Sequence, residues 1–261
     1  MEDWDDCDTP LVETKEIPKA VGKSRLKDFN IFSISIDGRK SNLVPSTSPS
    51  PKLNVVNYPP IPADLLRLFS DEEQPLLPPS FLLSARNKLG REDILATQKC
   101  AGYALPYFFY GAQMFPSVLR NSAGLKRPLK EVITTMTPAT VRGFRCHALQ
   151  NRSWPAAIRG DPYKDNIVGM LAFGLPEHVQ GCLDRFQGGS SAREVVRARF
   201  NHDDGGSCEI DCYIYLTGQG SNTSVLAEDK EWLVSDLMRD PWHLQNLASA
   251  KAEEAGLRAE L

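Results

Sequence analysis

A glycine turn between a buried strand and a helix could hold a small anion. The stretch YGAQM, residues 110–114, follows an apolar run and precedes Pro116, which suits the first turn of a helix. A turn at this place leaves backbone N–H groups unpaired beside a helix N-terminus, where they can bind a carboxylate. An ordinary strand-to-helix turn without a ligand fits the same residues. The candidate binding residues are Tyr110, Gly111, Ala112 and Gln113.

A glutamine occupies the end of a second element, where proton transfer could take place. The stretch LDRFQGG, residues 183–189, closes a predicted helix with Gln187 and two glycines. A glutamine amide donates and accepts hydrogen bonds, but it has no accessible pKa and cannot relay a proton. The alternative is a helix that stops at glycine, with Asp184 and Arg185 in solvent.

A folded region from about residue 105 must position these two stretches. NIVGMLAFGL, residues 166–175, is apolar on both faces, which favours a small closed sheet. SCEIDCYIYLTG, residues 207–218, alternates as a strand, and NHDDGGS before it predicts a hairpin loop. Further strands are predicted at 106–111, 139–149, 153–160 and 194–200, and helices at 63–70, 90–99, 116–124, 176–186 and from about Asp229, with Trp232, Leu233, Leu237 and Met238.

The predicted fold class is therefore α+β, a small mixed β-barrel or roll of five to seven strands with flanking helices. The first part of the chain is different, because Pro and Ser are frequent and apolar patterning is weak. We expect residues 1–60 to be largely disordered, apart from an isolated strand at 29–37, and residues 61–104 to form a partly ordered arm. Residues 105–245 form the folded domain, and 246–261 a solvated helical tail.

Charge and hydropathy limit the partners of the chain. The net charge of −3 argues against a nucleic-acid-binding face, and no apolar run reaches the ~20 residues that span a membrane. The acidic N-terminus lacks the apolar segment of a secretory signal. We expect the protein to lie in the cytosol or nucleus. The sequence identifies no protein partner.

The cysteines and histidines do not form a metal or nucleophile motif. No CxxC pair is present, and adjacent Cys146 and His147 would point to opposite faces of a strand. His178 and Cys182 lie four residues apart on one helix, but Cys182 belongs to its apolar face. We expect His202 and His243 at the surface, and no metal site. The cysteines, expected to be reduced and mostly buried, are Cys7, Cys100, Cys146, Cys182, Cys208 and Cys212.

In their order and spacing, these stretches resemble the gamma-glutamylcyclotransferase-like family, also called AIG2-like. The family shows a Tyr-Gly-Thr/Ser-Leu loop, a Pro-x-Val-Leu helix start, Arg-Gly-Tyr/Phe, Tyr-Pro-Ala, Val-x-Gly-x-Leu and Leu-Asp-x-x-Glu-Gly. The resemblance covers residues 106 to about 240. The matching stretches are YGAQMFPSVL (110–119), VRGF (141–144), WPA (154–156), VG (168–169) and LDRFQGGSSAREVV (183–196).

The resemblance implies an acyl transfer in which a small γ-glutamyl amine or peptide cyclises to 5-oxoproline. The Tyr-Gly loop would hold the substrate, the Glu of Leu-Asp-x-x-Glu-Gly would act as acid and base, and no metal or organic cofactor is needed. Here Gln187 stands at the position of that Glu, and Ala112 and Gln113 replace Thr/Ser-Leu. Ser191 stands where Tyr is frequent, whereas Arg193 matches.

Three functions remain open from the sequence. Loss of a positioned acid and base costs about 10²–10⁴-fold in rate, which predicts an impaired cyclotransferase. Asp184, one helical turn before Gln187, or Glu194 on the next strand could replace the missing acid, although the family uses neither. The alternatives are a module that binds γ-glutamyl ligands without turnover, and a protein-interaction module.

Overall fold

The computed structural model describes residues 59–102, 104–150, 152–188, 191–217, 226–258 and 261. The predictions of disorder and of a strand before residue 59 concern residues that lie outside the described ranges. The strands are β1 Tyr107–Phe109, β2 Met136–Arg142, β3 Phe144–Leu149, β4 Pro155–Arg159, β5 Asn166–Ala172, β6 Ser191–Asn201, β7 Ser207–Thr217 and β8 Leu226–Glu231.

Short helices lie between and around the strands. None of the described helices is long and apolar enough to cross a membrane. Three-residue 3-10 helices are Gln74–Leu76, Ala112–Met114 and Glu177–Val179. The α-helices are α1 Ala63–Leu66, α2 Pro79–Ser84, α3 Arg91–Cys100, α4 Pro116–Ser122, α5 Leu129–Thr134, α6 Gln180–Gln187, α7 Val234–Met238, α8 Pro241–Ser249 and α9 Lys251–Leu257.

Five strands close into a barrel in the order β1-β5-β2-β6-β7. All pairings are antiparallel except that of β1 with β7, which is parallel where Tyr107 meets Tyr213. The remaining described strands form a second sheet, β4-β3-β8. The prediction of an α+β fold with a small mixed barrel and flanking helices is confirmed.

Two strands show why the barrel is closed. In β5, Met170 and Ala172 pack in one apolar cluster while Ile167 and Leu171 pack in another, so both faces are covered. β7 alternates as predicted, and its inward residues belong to the second cluster. These residues are Cys208, Ile210, Cys212, Ile214 and Leu216.

The single strand predicted over residues 139–149 is wrong, because the chain changes sheet at Gly143. Gly143 has a φ of 78°, which L-residues with a side chain rarely adopt, and it separates β2 in the barrel from β3 in the second sheet. Its N–H donates to Asp165 O at 2.9 Å and its carbonyl accepts from Gly160 N at 2.8 Å. The sequence conceals this corner, because an apolar residue that the structure buries lies on each side of it, Val141 and Phe144.

The helix predicted from Asp229 is also wrong. The segment Leu226–Glu231 forms β8 and pairs antiparallel with β3, and helices begin again only at Val234. Pairing with β3 supplies backbone partners that local propensity does not report. Asp240 then caps α8, accepting from His243 N at 3.0 Å, and this turn buries His243 completely. The surface position predicted for His243 is therefore wrong.

The predicted solvated tail is helical but packs against the domain. In α9, Glu254 and Leu257 are buried. Glu254 accepts hydrogen bonds from the backbone N–H of Ser80, at 2.8 Å, and from its hydroxyl. A carboxylate at the N-terminus of α2 satisfies an N–H that the helix leaves unpaired.

Residues 61–104 contribute side chains to the first apolar cluster, including Leu65 and Phe69. Phe81 packs against Phe69 and Phe115, with ring centroids 5.3 and 4.9 Å apart. The side chain of Asn87 donates to two carbonyls next to β2, Ile133 O at 2.6 Å and Met136 O at 3.0 Å. These contacts connect residues 61–104 to β2 and to Phe115, the residue before α4.

Candidate functional site

The glycine turn after β1 is held by a close contact with β4. Gly111 has a φ of −130° and a ψ of −140°, and a Cβ added to it would lie 2.9 Å from Pro155 Cγ. The 3-10 helix that follows is fixed by two hydrogen bonds, from Met114 N to Gly111 O at 2.9 Å and from Phe115 N to Ala112 O at 3.2 Å. Glycine is needed here because any side chain would displace Pro155.

Three consecutive N–H groups of this turn lack a protein acceptor. Among the described residues, the backbone N–H groups of Gly111, Ala112 and Gln113 make no hydrogen bond. All three residues are buried, and a buried N–H without a partner costs free energy. The turn can therefore donate to a carboxylate, a carbonyl or water.

The end of α6 brings Gln187 to the turn. Gly188, with a φ of 75°, ends the helix, and its N–H donates to Asp184 O at 3.1 Å and Arg185 O at 3.2 Å. Gln187 Nε2 then donates to Gln113 Oε1 at 2.8 Å. The structure thus joins two predicted site residues that are 74 positions apart in the chain.

A small cavity lies between the turn and the helix end. Its volume is about 30 Å³, which leaves room for about two water molecules. Gln113 is 3% exposed, and its Nε2 has no acceptor among the described residues. The lining residues are Phe108, Phe109, Tyr110, Gly111, Ala112, Gln113, Trp154, Pro155, Phe186, Gln187 and Tyr215.

The hydroxyl of Tyr110 is engaged inside the protein. It donates to Tyr215 O at 2.6 Å and accepts from Ala157 N at 3.3 Å. Burial raises the pKa of Tyr110 above its ordinary value, so the phenol stays protonated. Tyr110 lines the cavity with its ring and holds β1, β4 and β7 together, while the other predicted site residues supply free polar groups.

Comparison with known proteins identifies the domain that carries this cavity. Residues 107–234 match the family described as gamma-glutamyl cyclotransferase, AIG2-like. The domain belongs to this family. No curated protein sequence matches the chain.

Several solved structures are similar to the AIG2-like domain. The solution structure of At5g39720.1 from Arabidopsis thaliana has 19% identity and a TM-score of 0.38, covering 60% of this chain and 92% of that chain. A structure named gamma-glutamyl cyclotransferase has 15% identity and a TM-score of 0.36, and the match covers 59% of this chain and 86% of that chain. The crystal structure of uncharacterized protein loc79017 from Homo sapiens also has 15% identity and a TM-score of 0.36, and the match covers 59% of this chain and 86% of that chain.

The two carboxylates considered as replacements for Glu are engaged elsewhere in the AIG2-like domain. Asp184 accepts from the hydroxyl of Tyr215 at 2.6 Å and lies 4.0 Å from Arg193 Nη1. Glu194 pairs with Arg159. Neither carboxylate belongs to the described lining of the cavity.

Sequence reasoning missed the polar cluster around Asp184. Burial, and after it the hydrogen bond to Asp184, raises the pKa of Tyr215. Arg193 Nη1 donates to Tyr107 OH at 3.0 Å, and its guanidinium lies 4.7 Å from the centre of the Tyr213 ring. The sequence shows that Tyr213 and Tyr215 share one face of β7. It does not show that Asp184 of α6 lies against this face.

An aromatic group at the mouth of the cavity was also missed. Trp154 and Phe186, both lining residues, have ring centroids 5.6 Å apart. Trp242 lies 4.9 Å from Trp154 and 5.4 Å from Phe186 and is 36% exposed. The AIG2-like domain therefore presents apolar surface beside its polar turn.

Proposed function

We propose that the AIG2-like domain binds the γ-glutamyl part of a small amine or peptide in the cavity between residues 110–114 and the end of α6. The observation that carries the proposal is the hydrogen bond between Gln187 and Gln113. This bond supports the proposal, because it joins the residue that we align with the family's acid and base to the turn that we propose binds the carboxylate.

The donors around the cavity support a carboxylate ligand. The N–H groups of Gly111, Ala112 and Gln113 and the unpaired Nε2 of Gln113 are all donors. Hydrogen bonds from such groups to a charged acceptor are stronger than those between neutral groups. The α-carboxylate of a γ-glutamyl compound supplies an acceptor of this kind.

The reaction to test is cyclisation of this ligand. The α-amine attacks the γ-carbonyl carbon, a C–N bond forms in the five-membered ring, and the amide C–N bond breaks. The α-ammonium loses two protons, one before the attack and one from the tetrahedral intermediate, and the departing nitrogen takes up two and leaves as an ammonium. Orientation alone supplies about 7–11 kcal/mol of such a barrier, so an enzyme without a titrating acid keeps part of its rate.

Gln187 leaves the proton transfers without a carrier. A positioned acid and base contributes about 10²–10⁴-fold, and an amide cannot take its place. We therefore propose a gamma-glutamyl cyclotransferase that is severely impaired.

Binding without turnover is the second candidate function. Gln187 uses its amide N–H to bond Gln113 at 2.8 Å, and the cavity of about 30 Å³ is smaller than a γ-glutamyl group. A ligand must therefore replace this amide–amide bond with bonds of its own. Such an exchange suits a site selected for recognition.

The experiment compares wild type with Gln187→Glu on γ-glutamylalanine. The measurements are 5-oxoproline release and the change in melting temperature. Glutaryl-alanine is the matched control ligand, because it lacks the α-amine and cannot cyclise. Gln180→Glu is the control variant, since Gln180 begins the same helix and lies outside the cavity lining.

The outcomes separate the functions. Slow release by wild type, raised about 10²-fold or more by Gln187→Glu, supports the impaired enzyme. A higher melting temperature without release by wild type supports the binding module. If γ-glutamylalanine neither stabilises nor reacts with either protein, the proposal fails, and residues 61–104 and the C-terminal helices become the surfaces to test for a protein partner.

A further inference from the structure

A second, larger cavity lies beside β3 and β5, away from the glutamine pair. Its volume is about 400 Å³, compared with about 30 Å³ for the cavity at Gln187. Volumes of this order are typical of sites for small organic ligands. Tyr110 is the one described residue that lines both cavities, and its hydroxyl is already engaged within the protein.

The charged lining of this second cavity is predominantly positive. Arg67, Arg145 and Lys164 face a single carboxylate, Asp165. Asp165 Oδ2 already accepts from the backbone N–H of Asp161 at 2.7 Å. Only Arg67 of the three cations has an ion pair, to Asp64 at 2.9 Å, among the described residues. Among the described side chains, Arg145 and Lys164 therefore offer two cationic groups that can donate to an anion.

The remaining lining is largely apolar. The indole N–H of Trp232 donates to Ser153 O at 2.7 Å, so Trp232 offers the cavity only the apolar surface of its ring. Leu233 is 55% exposed beside it, a large fraction for a leucine that a ligand could cover. Leu68, Ile167, Val168 and Val234 complete this apolar lining.

We propose that this second cavity binds a small organic anion with an apolar body, of the size and chemistry of a medium-chain carboxylate. The carboxylate lies against Arg145 and Lys164, which donate charge-assisted hydrogen bonds. The apolar body lies along Trp232, Leu233 and Val168, out of water. This inference is independent of the γ-glutamyl proposal, since no polar group is shared between the two cavities.

The test uses three probes with the same apolar chain and different head groups, octanoate, octan-1-ol and octylammonium. Binding of each to the full chain is measured by titration calorimetry at pH 7. Octanoate is expected to bind about tenfold or more tighter than octan-1-ol, because its carboxylate accepts charge-assisted hydrogen bonds. Octylammonium is expected to bind more weakly than either.

Two pairs of substitutions isolate the cavity from general charge effects. Arg145→Glu with Lys164→Glu is expected to lower octanoate affinity about tenfold or more and to leave octan-1-ol nearly unchanged. Arg142→Glu with Lys126→Glu alters the net charge equally, at exposed positions outside the cavity lining, and is expected to bind octanoate as wild type does. Leu233→Ser is expected to weaken octanoate and octan-1-ol together.

The proposal is overturned if wild type does not bind octanoate, or if octan-1-ol binds as tightly as octanoate. It is equally overturned if the Arg145→Glu and Lys164→Glu protein keeps full octanoate affinity. All four substituted residues of the two pairs are exposed, so the fold is expected to survive, and circular dichroism checks this.

Discussion

Gln187 Nε2 donates to Gln113 Oε1 across 2.8 Å, joining the end of α6 to the turn after β1. Both residues line the small cavity, and Gln113 Nε2 has no acceptor among the described residues. Under the proposed function, a ligand replaces this bond with hydrogen bonds of its own.

Gln113→Leu is expected to weaken binding of γ-glutamylalanine about tenfold, because it removes both the partner of Gln187 and an unpaired donor. Leucine fills a similar volume, so the melting temperature without ligand should change little. Calorimetric titration measures the affinity, and Gln180→Leu, outside the cavity lining, is the control. Equal affinities for Gln113→Leu and wild type would remove Gln113 from the site.

Gly111→Ala is expected to weaken the same binding, because its Cβ would lie 2.9 Å from Pro155 Cγ and shift the turn. Displacements of this kind at a positioned site cost about tenfold or more. Gly181→Ala is the control, since its Cβ meets nothing within 4 Å in α6. That variant should gain up to about 1 kcal/mol of stability, from helix propensity, and keep its affinity.

His243→Leu is expected to protect the fold against acid. Burial lowers the pKa of His243 to about 4, against the opposing effect of Asp240, and neither ring nitrogen has a partner among the described residues. Keeping His243 neutral in the folded state costs no free energy of unfolding at pH values above about 6.5, the pKa of histidine in the unfolded chain. The cost grows as pH falls towards 4, because the unfolded chain gains a proton that the folded protein does not.

The measurement for His243 is urea unfolding at pH 7.5 and pH 5. Wild type should lose about 2 kcal/mol more than His243→Leu between these two pH values, by linkage. His178→Leu, at an exposed position, should behave as wild type. The same pH dependence in wild type and His243→Leu would show that His243 is not the responsible group.

Glu254→Ala is expected to destabilise the domain by about 1–3 kcal/mol, because the buried N–H and hydroxyl of Ser80 lose their acceptor. Lys251→Ala, on the exposed side of the same helix, should change stability by less than about 0.5 kcal/mol. Chemical unfolding measures both variants. A Glu254→Ala protein as stable as wild type would show that α9 is not anchored through this carboxylate.

Local sequence patterns predicted the elements whose apolar residues recur at regular spacing and the points where glycine ends an element. The alternation of β7, the all-apolar β5 and the glycine after Gln187 each report a local property, which side of an element is covered or where it ends. The corner at Gly143 was missed because apolar residues continue on both sides of it. β8 was missed because its partner, β3, lies about 80 residues earlier, and strand propensity depends on that partner.

The sequence by itself determined the fold class and the family resemblance, and it predicted that Gln187 stands where the family carries an acid. Only the tertiary structure decided that Gln187 bonds Gln113, that Asp184 and Glu194 are engaged by Tyr215 and Arg159, and that His243 is buried. The physical reason is the distance along the chain over which each effect acts. Periodicity and turn chemistry act over a few residues, whereas these contacts exist only after barrel closure brings distant strands and helices together.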